Sequence, residues 1–182
     1  LEHTEMQKVA ASLDYVNLMA YDQFVNSEPV AAHHAPLFTH PSNPKQLSAA
    51  TSVSQFLAAG VPAEKIVVGV PFYGRAWASV PPENHGLYQP ASEIRERVGG
   101  SFQGIKTRLE NKDGFVRYWD DLSKAPYLYN AARQIFVSYE DEQSVGLKAQ
   151  YVKERGLAGI MFWEYHGDPE NKLLDAINQG LR

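Results

Sequence analysis

The chain has 182 residues, 44% of them hydrophobic, with a formal net charge of −4 and no cysteine. That balance argues against a nucleic-acid binder or a polybasic membrane contact, and the lack of thiols excludes disulfides, thiolate catalysis and cysteine-ligated metal. No apolar run is long enough to span a bilayer, and Leu1-Glu2-His3 opens no signal peptide, so neither membrane nor nucleic acid is expected as a partner.

In chain order, Met6 and Val9 read as the tail of a helix feeding a first buried strand, Tyr15–Tyr21. Asn43-Pro44 predicts a helix start, with Leu47, Ala50, Val53 and Leu57 at helical spacing up to Gly60. A second strand, "IVVGVPF", spans Ile66–Phe72. Between Ala76 and Tyr139 the texture changes. Pro81-Pro82, Gly99-Gly100 and Asp113-Gly114 punctuate it, and "FVRYW", "APYLYN" and "QIFVSYED" read as short strands. This predicts a small α+β module with antiparallel strands, residues 76–139, inserted into an α/β part formed by residues 1–75 and 140–182. A helix carrying Val145, Ala149 and Val152 then ends at Gly156. The third buried strand is Leu157–Trp163, and a last helix starts at Asp168-Pro169 and carries Leu173, Leu174, Ile177 and Leu181.

Buried runs beside helices indicate parallel strands. A βα unit takes roughly 30 residues and an eight-unit barrel about 250. About three units are therefore present, either as a small open sheet or as part of a larger fold. Alternation puts Asn17, Met19 and Tyr21 on one face of the first strand, opposite Val16, Leu18 and Ala20. The second and third strands likewise have one aliphatic face and one that ends in an aromatic. Asp22, Arg75 and Glu164 lie just past the three carboxyl ends, where α/β folds bind ligands. With Tyr21, Tyr73 and Trp163 they would form an aromatic-walled pocket suited to a carbohydrate. From spacing alone, salt bridges at the sheet end explain the same charges, and both readings stay open.

Other signals carry less. "GVPFYG", Gly69–Gly74, has phosphate-loop spacing but is followed by Arg75-Ala76 instead of Lys and Ser or Thr. His33-His34 has no partner at ligand spacing and reads as a solvent or cleft-edge pair, so no metal or cofactor is expected. Trp119 and Tyr127 suit either a sugar site or the core of the insert, and the Glu93–Arg97 run reads as a solvated helix face.

Four segments in order, "YVNLMAYDQF", "KIVVGVPFYGRAW", "KAPYLYN" and "FVSYEDEQSVGLKAQYVKERGLAGIMFWEYHGD", resemble the last third of glycoside hydrolase family 18 chitinases. The resemblance implies an α/β fold that is part of a (β/α)8 TIM barrel, its strands the sixth to eighth, and a chitin insertion domain at 76–139. It implies that Tyr21 and Asp22 act catalytically by holding the substrate's N-acetyl group, with Met19 packed beneath them. Tyr73 and Arg75 would contact sugars, Trp163 would floor the cleft, and Glu164 would be a supporting carboxylate. The implied partner is chitin or N-acetylglucosamine oligomers, and the implied location is extracellular.

The family's chemistry is substrate-assisted, an exception to the two-carboxylate scheme of most glycosidases. Its diagnostic D-x-x-D-x-D-x-E, source of the acid Glu, does not occur among the 182 residues. The chain by itself is thus expected to hold part of a cleft, to be inactive, and to self-associate through open barrel edges. A chitinase-like lectin that keeps the cleft without the acid, and a small open-sheet protein unrelated to sugars, are the alternatives.

Overall fold

The three apolar runs pair with one another in a computed structural model of the protein, which describes residues 3–94 and 98–182. Strands β1 (Val16–Leu18), β2 (Ile66–Pro71) and β9 (Gly159–Trp163) form a parallel sheet in the order β1-β2-β9. Val16 lies opposite Ile66, and Pro71 opposite Trp163, so the carboxyl ends lie together. The first strand is shorter than the predicted Tyr15–Tyr21. The Ala20 N–H turns back to the Leu18 carbonyl at 2.8 Å, and Asp22 takes a left-handed conformation with φ 54°.

Leu18, Ala20, Ile66 and Val68 bury their aliphatic face with Val53 and Val152 against helices α1 (Met6–Ala11), α2 (Ala49–Ala58) and α4 (Glu142–Glu154). The opposite face is open, with Met19 72% and Trp163 59% exposed. The alternation expected from the sequence therefore holds.

The helix starts differ in part from expectation. Asn43 does not cap α2: its Oδ1 accepts from the Lys45 N–H and its Nδ2 donates to the Leu47 carbonyl, closing a separate turn. Such local side-chain bonds compete with helix, and Gln46 at φ 52° ends any continuation. Ser48 is the cap instead, accepting from the Thr51 N–H at 3.0 Å while Thr51 Oγ1 accepts from the Ser48 N–H. Asp141 and Ser144 make the same box for α4. Asp168 holds the start of α5 (Lys172–Leu181), its carboxylate accepting from the N–H groups of residues 172–174.

The chain between β2 and α4 contributes β3 (Tyr73–Ala78), β4 (Ser92–Glu93), β5 (Gly100–Ser101), helix α3 (Phe102–Arg108), β6 (Val116–Asp120), β7 (Ala125–Asn130) and β8 (Ile135–Ser138). Its antiparallel sheet runs β4-β3-β8-β7-β6 with β5 on β3. It begins at Tyr73, inside the strand that continues β2, so the two sheets share one stretch of chain. Ser92-Glu93 pairs with β3 and neither it nor Ile94 is helical, whereas residues 95–97 of the predicted Glu93–Arg97 helix face lie outside the described residues. Tyr127 is buried in a stack with Tyr118 and Phe136, which makes it core. Trp119 donates to Asp121, carries the Arg117 guanidinium over its ring, and does not line the sheet-end cleft.

The segment after β1 straps the two sheets together. Ala31 exchanges backbone bonds with Tyr88 and Gln89, and the Leu37 N–H reaches the Ser123 carbonyl. Phe24, Ala31 and Ala32 pack on Trp77, Tyr129 and Phe136.

Candidate active-site cleft

At the carboxyl ends of the parallel strands, Met19, Tyr21, Asp22, Tyr73, Arg75 and Trp163 line one cleft of about 450 Å³. Each is delivered by a local rule. Met19 and Tyr21 follow β1 on its open side, and Tyr73 and Arg75 alternate along β3 on one side of the strand. Trp163 ends β9 opposite Pro71. Gly69 makes room for them: a Cβ there would stand 2.9 Å from the Tyr21 ring and 2.7 Å from the Met161 methyl.

Asp22 is the electrostatic centre. Arg75 donates through Nε to Oδ1 at 2.8 Å and through Nη2 to Oδ2 at 2.7 Å, the bidentate fork that guanidinium geometry favours. The Tyr73 hydroxyl donates to Oδ2 at 2.7 Å. Burial alone would raise the carboxyl, but His34, Arg75 and Tyr73 together outweigh it and hold Asp22 far below the usual range. Burial, then the bond to Asp22, pushes the Tyr73 phenol well above its ordinary value. Burial and the Asp22 charge also raise Tyr21.

The cleft thus pairs a permanent anion with two phenols that stay protonated and an exposed indole. The Arg75 guanidinium also lies 4.9 Å over the Tyr73 ring, which stiffens the pair. Tyr21 meets Tyr73 edge to face, and its hydroxyl has no hydrogen-bond partner among the described residues. It is an unpaired donor on a residue that lines the cleft. No group of three or more His, Cys, Asp or Glu among the described residues could hold a metal.

Glu164 is the one expected site residue that does not line this cleft. It lies past a cis peptide after Trp163, in a smaller cavity of about 270 Å³ with Ser101 and His166. His33 and His34 are also not where they were expected. At 1% and 0% exposure they are buried, His33 on Asp120 at 3.1 Å and His34 behind Asp22 at 3.5 Å. The strap through residues 31–37 folds the pair inward.

A second missed feature is the buried ion pair of Lys148 with Glu140, where Lys148 Nζ also donates to the Ala35 carbonyl at 2.6 Å. Its i, i+8 spacing across the start of α4 gave no sequence signal. For His34 the available signal was the doubled histidine, whose burial depends on the strap.

The family profile described as "Glycosyl hydrolases family 18" matches residues 1–168. The chain belongs to that family. It is 39% identical to Chitinase A1 of Niallia circulans over 98% of this chain and 27% of that protein. A family 18 N-acetylglucosaminidase from Paenibacillus barengoltzii superimposes with a TM-score of 0.91 at 44% identity, covering 98% of this chain and 52% of the other. A family 18 chitinase from Cycas revoluta, solved with (GlcNAc)3, gives 0.85 at 31% identity over 97% and 49% of the two chains. The chain therefore spans about half or less of the length of these relatives, and its α/β fold is a partial (β/α)8 barrel.

Proposed function

We propose that this chain supplies the acetamido-binding side of the cleft in an enzyme that hydrolyses β-1,4 linkages between N-acetylglucosamine residues of chitin. The observation that carries the reading is the meeting of Tyr21, Asp22, Tyr73, Arg75 and Trp163 in one cleft, with Asp22 locked as an anion. An N-acetyl sugar offers complementary groups: an apolar ring face for Trp163, a carbonyl for the Tyr21 hydroxyl, and an amide N–H for Asp22. Met19 closes the space beneath, and Tyr73 and Arg75 keep Asp22 ionised.

In substrate-assisted hydrolysis the acetamido oxygen attacks the anomeric carbon while an acid protonates the leaving oxygen. Tyr21 orients that oxygen, and Asp22 stabilises the positive charge that develops on the amide nitrogen, so the contribution is positioning plus electrostatics. The acid is absent from these 182 residues, and the chain alone therefore releases no product from a chromogenic chitobioside. Residues 76–139 form the insertion domain that walls the cleft, and 1–75 with 140–182 the barrel portion. Glu164 supports the far side of Trp163. Insoluble chitin cannot enter a cell, so the enzyme works outside it.

The test is calorimetric titration of the chain with (GlcNAc)3. Binding that Trp163→Ala abolishes and Tyr21→Phe weakens is the expected result. No binding, or binding indifferent to both changes, overturns the reading. Turnover of the chitobioside by this chain would sink the claim that the acid lies elsewhere.

A further inference from the structure

The residue nearest the back of Asp22 has no role in the chemistry above. His34 is wholly buried, and neither ring nitrogen has a hydrogen-bond partner among the described residues. Burying an imidazole in that state is unfavourable. Its Nδ1 stands 3.5 Å from Asp22 Oδ1, against about 2.9 Å for a full N–H···O bond. Active-site hydrogen bonds are often long in the empty site and tighten in the substrate complex.

The chain holding His34 is tied at that residue and on both sides of it. The His34 N–H donates to Ser138 Oγ at 3.0 Å, and its carbonyl accepts from the Gln23 N–H at 3.0 Å. His33 is anchored by Asp120, and the Ala35 carbonyl by Lys148. The ring itself lies against Tyr73, 5.6 Å between centroids. His34 is thus a fixed post, and closing the gap falls to the Asp22 side chain.

We propose that His34 is the positioning residue for Asp22: a neutral imidazole, protonated at Nδ1, that donates to Oδ1 from behind when a substrate acetamide turns the carboxylate. This rests on the acetamido-binding reading above. It sets the angle at which Asp22 meets the amide and leaves the carboxylate's charge for Arg75 and the substrate. The titratable and charged groups that act on the ring are Asp22, Tyr73, Arg75 and Lys148. Burial pushes His34 down to about 4, against the pull of Asp22 and with help from Lys148 and Arg75, so the neutral donor persists above that pH. Below it, an imidazolium would compete with Arg75 for Asp22.

The experiment is a nitrogen-15 NMR pH titration of the histidine rings in the 182-residue chain, with and without (GlcNAc)3. The expected result is the Nδ1–H tautomer, a His34 inflection near pH 4 that moves in Asp22→Asn, and a further Nδ1 shift on adding trisaccharide. His34→Ala weakens trisaccharide binding about tenfold, whereas His34→Asn, which restores a donor, recovers most of it and loses the inflection. An Nε2–H tautomer, a titration indifferent to Asp22→Asn, or equal losses in the Ala and Asn variants overturns the proposal. If the unmodified chain binds no trisaccharide, the acetamido reading and the substrate step fall together, while the tautomer and the Asp22→Asn response still decide the His34–Asp22 contact.

Discussion

Two buried histidines each face a carboxylate, His34 on Asp22 and His33 on Asp120, and the protonation of these four groups makes the protein sensitive to acid. Burial lowers both histidines, His34 to about 4, although Asp120 and Asp22 pull the other way. Unfolded imidazoles take up protons near 6.5. As pH falls from about 6.5 to about 4 the unfolded chain therefore binds protons that the folded one refuses, and stability is lost in that window. The depressed carboxyls of Asp22 and Asp120 extend the loss below about 4, the usual carboxylate range. These four groups remove nothing as pH rises from 6.5 to 8. The buried Glu140 carboxyl, raised by burial, contributes the opposite slope, so calorimetry should compare variants. The chain should lose more Tm between pH 6.5 and 4 than a His33→Gln, His34→Gln variant does, and equal losses would contradict the burial of both rings. Tyr21 makes a separate prediction. Its hydroxyl has no internal partner, so Tyr21→Phe should leave Tm unchanged and weaken (GlcNAc)3 binding by about 1 kcal/mol, the value of one hydrogen bond.

Among the elements, periodicity was a good guide to which segments are helix or strand and a poor one to where they start. Val53, Val145, Ala149, Leu173 and Ile177 are buried as their spacing predicts. The start of α2 was misread because Asn43-Pro44 satisfies a cap pattern, while Asn43 spends both ends of its amide on a turn. Ser48→Ala should accordingly cost about 1 kcal/mol in urea unfolding, and Pro44→Ala far less. Helix α4 gives the stronger test. Lys148 and Glu140 are 1% and 2% exposed, so removing one leaves a bare buried charge or forces the survivor to neutralise. Lys148→Met should cost about 3–5 kcal/mol, and the double change with Glu140→Leu should recover most of it, because two apolar groups replace a pair that had lost its water. Equal costs for the single and double variants would contradict a pair that is stable only as a pair.

For the molecule as a whole, the parallel sheet has two open edges. Strands β1 and β9 each pair only with β2 among the described residues, and Tyr15, Met19 and Trp163 are exposed beside them. Unpaired backbone next to apolar side chains invites pairing with another chain. Light scattering of the 182-residue chain should show concentration-dependent self-association, and a monodisperse monomer would count against it. The sequence by itself determined the three buried strands, their open and covered faces, and the convergence of Tyr21, Asp22, Tyr73, Arg75 and Trp163. Those follow from a two-residue strand repeat and from chain direction, which are local properties. Only the tertiary structure decided that His33 and His34 are buried, that Lys148 pairs with Glu140 beneath Ala35, and that Glu164 lines a smaller cavity next to the main cleft. The burial of a polar group depends on which distant surfaces close over it, and here the strap between β1 and α2 does the closing, a contact that no local spacing records.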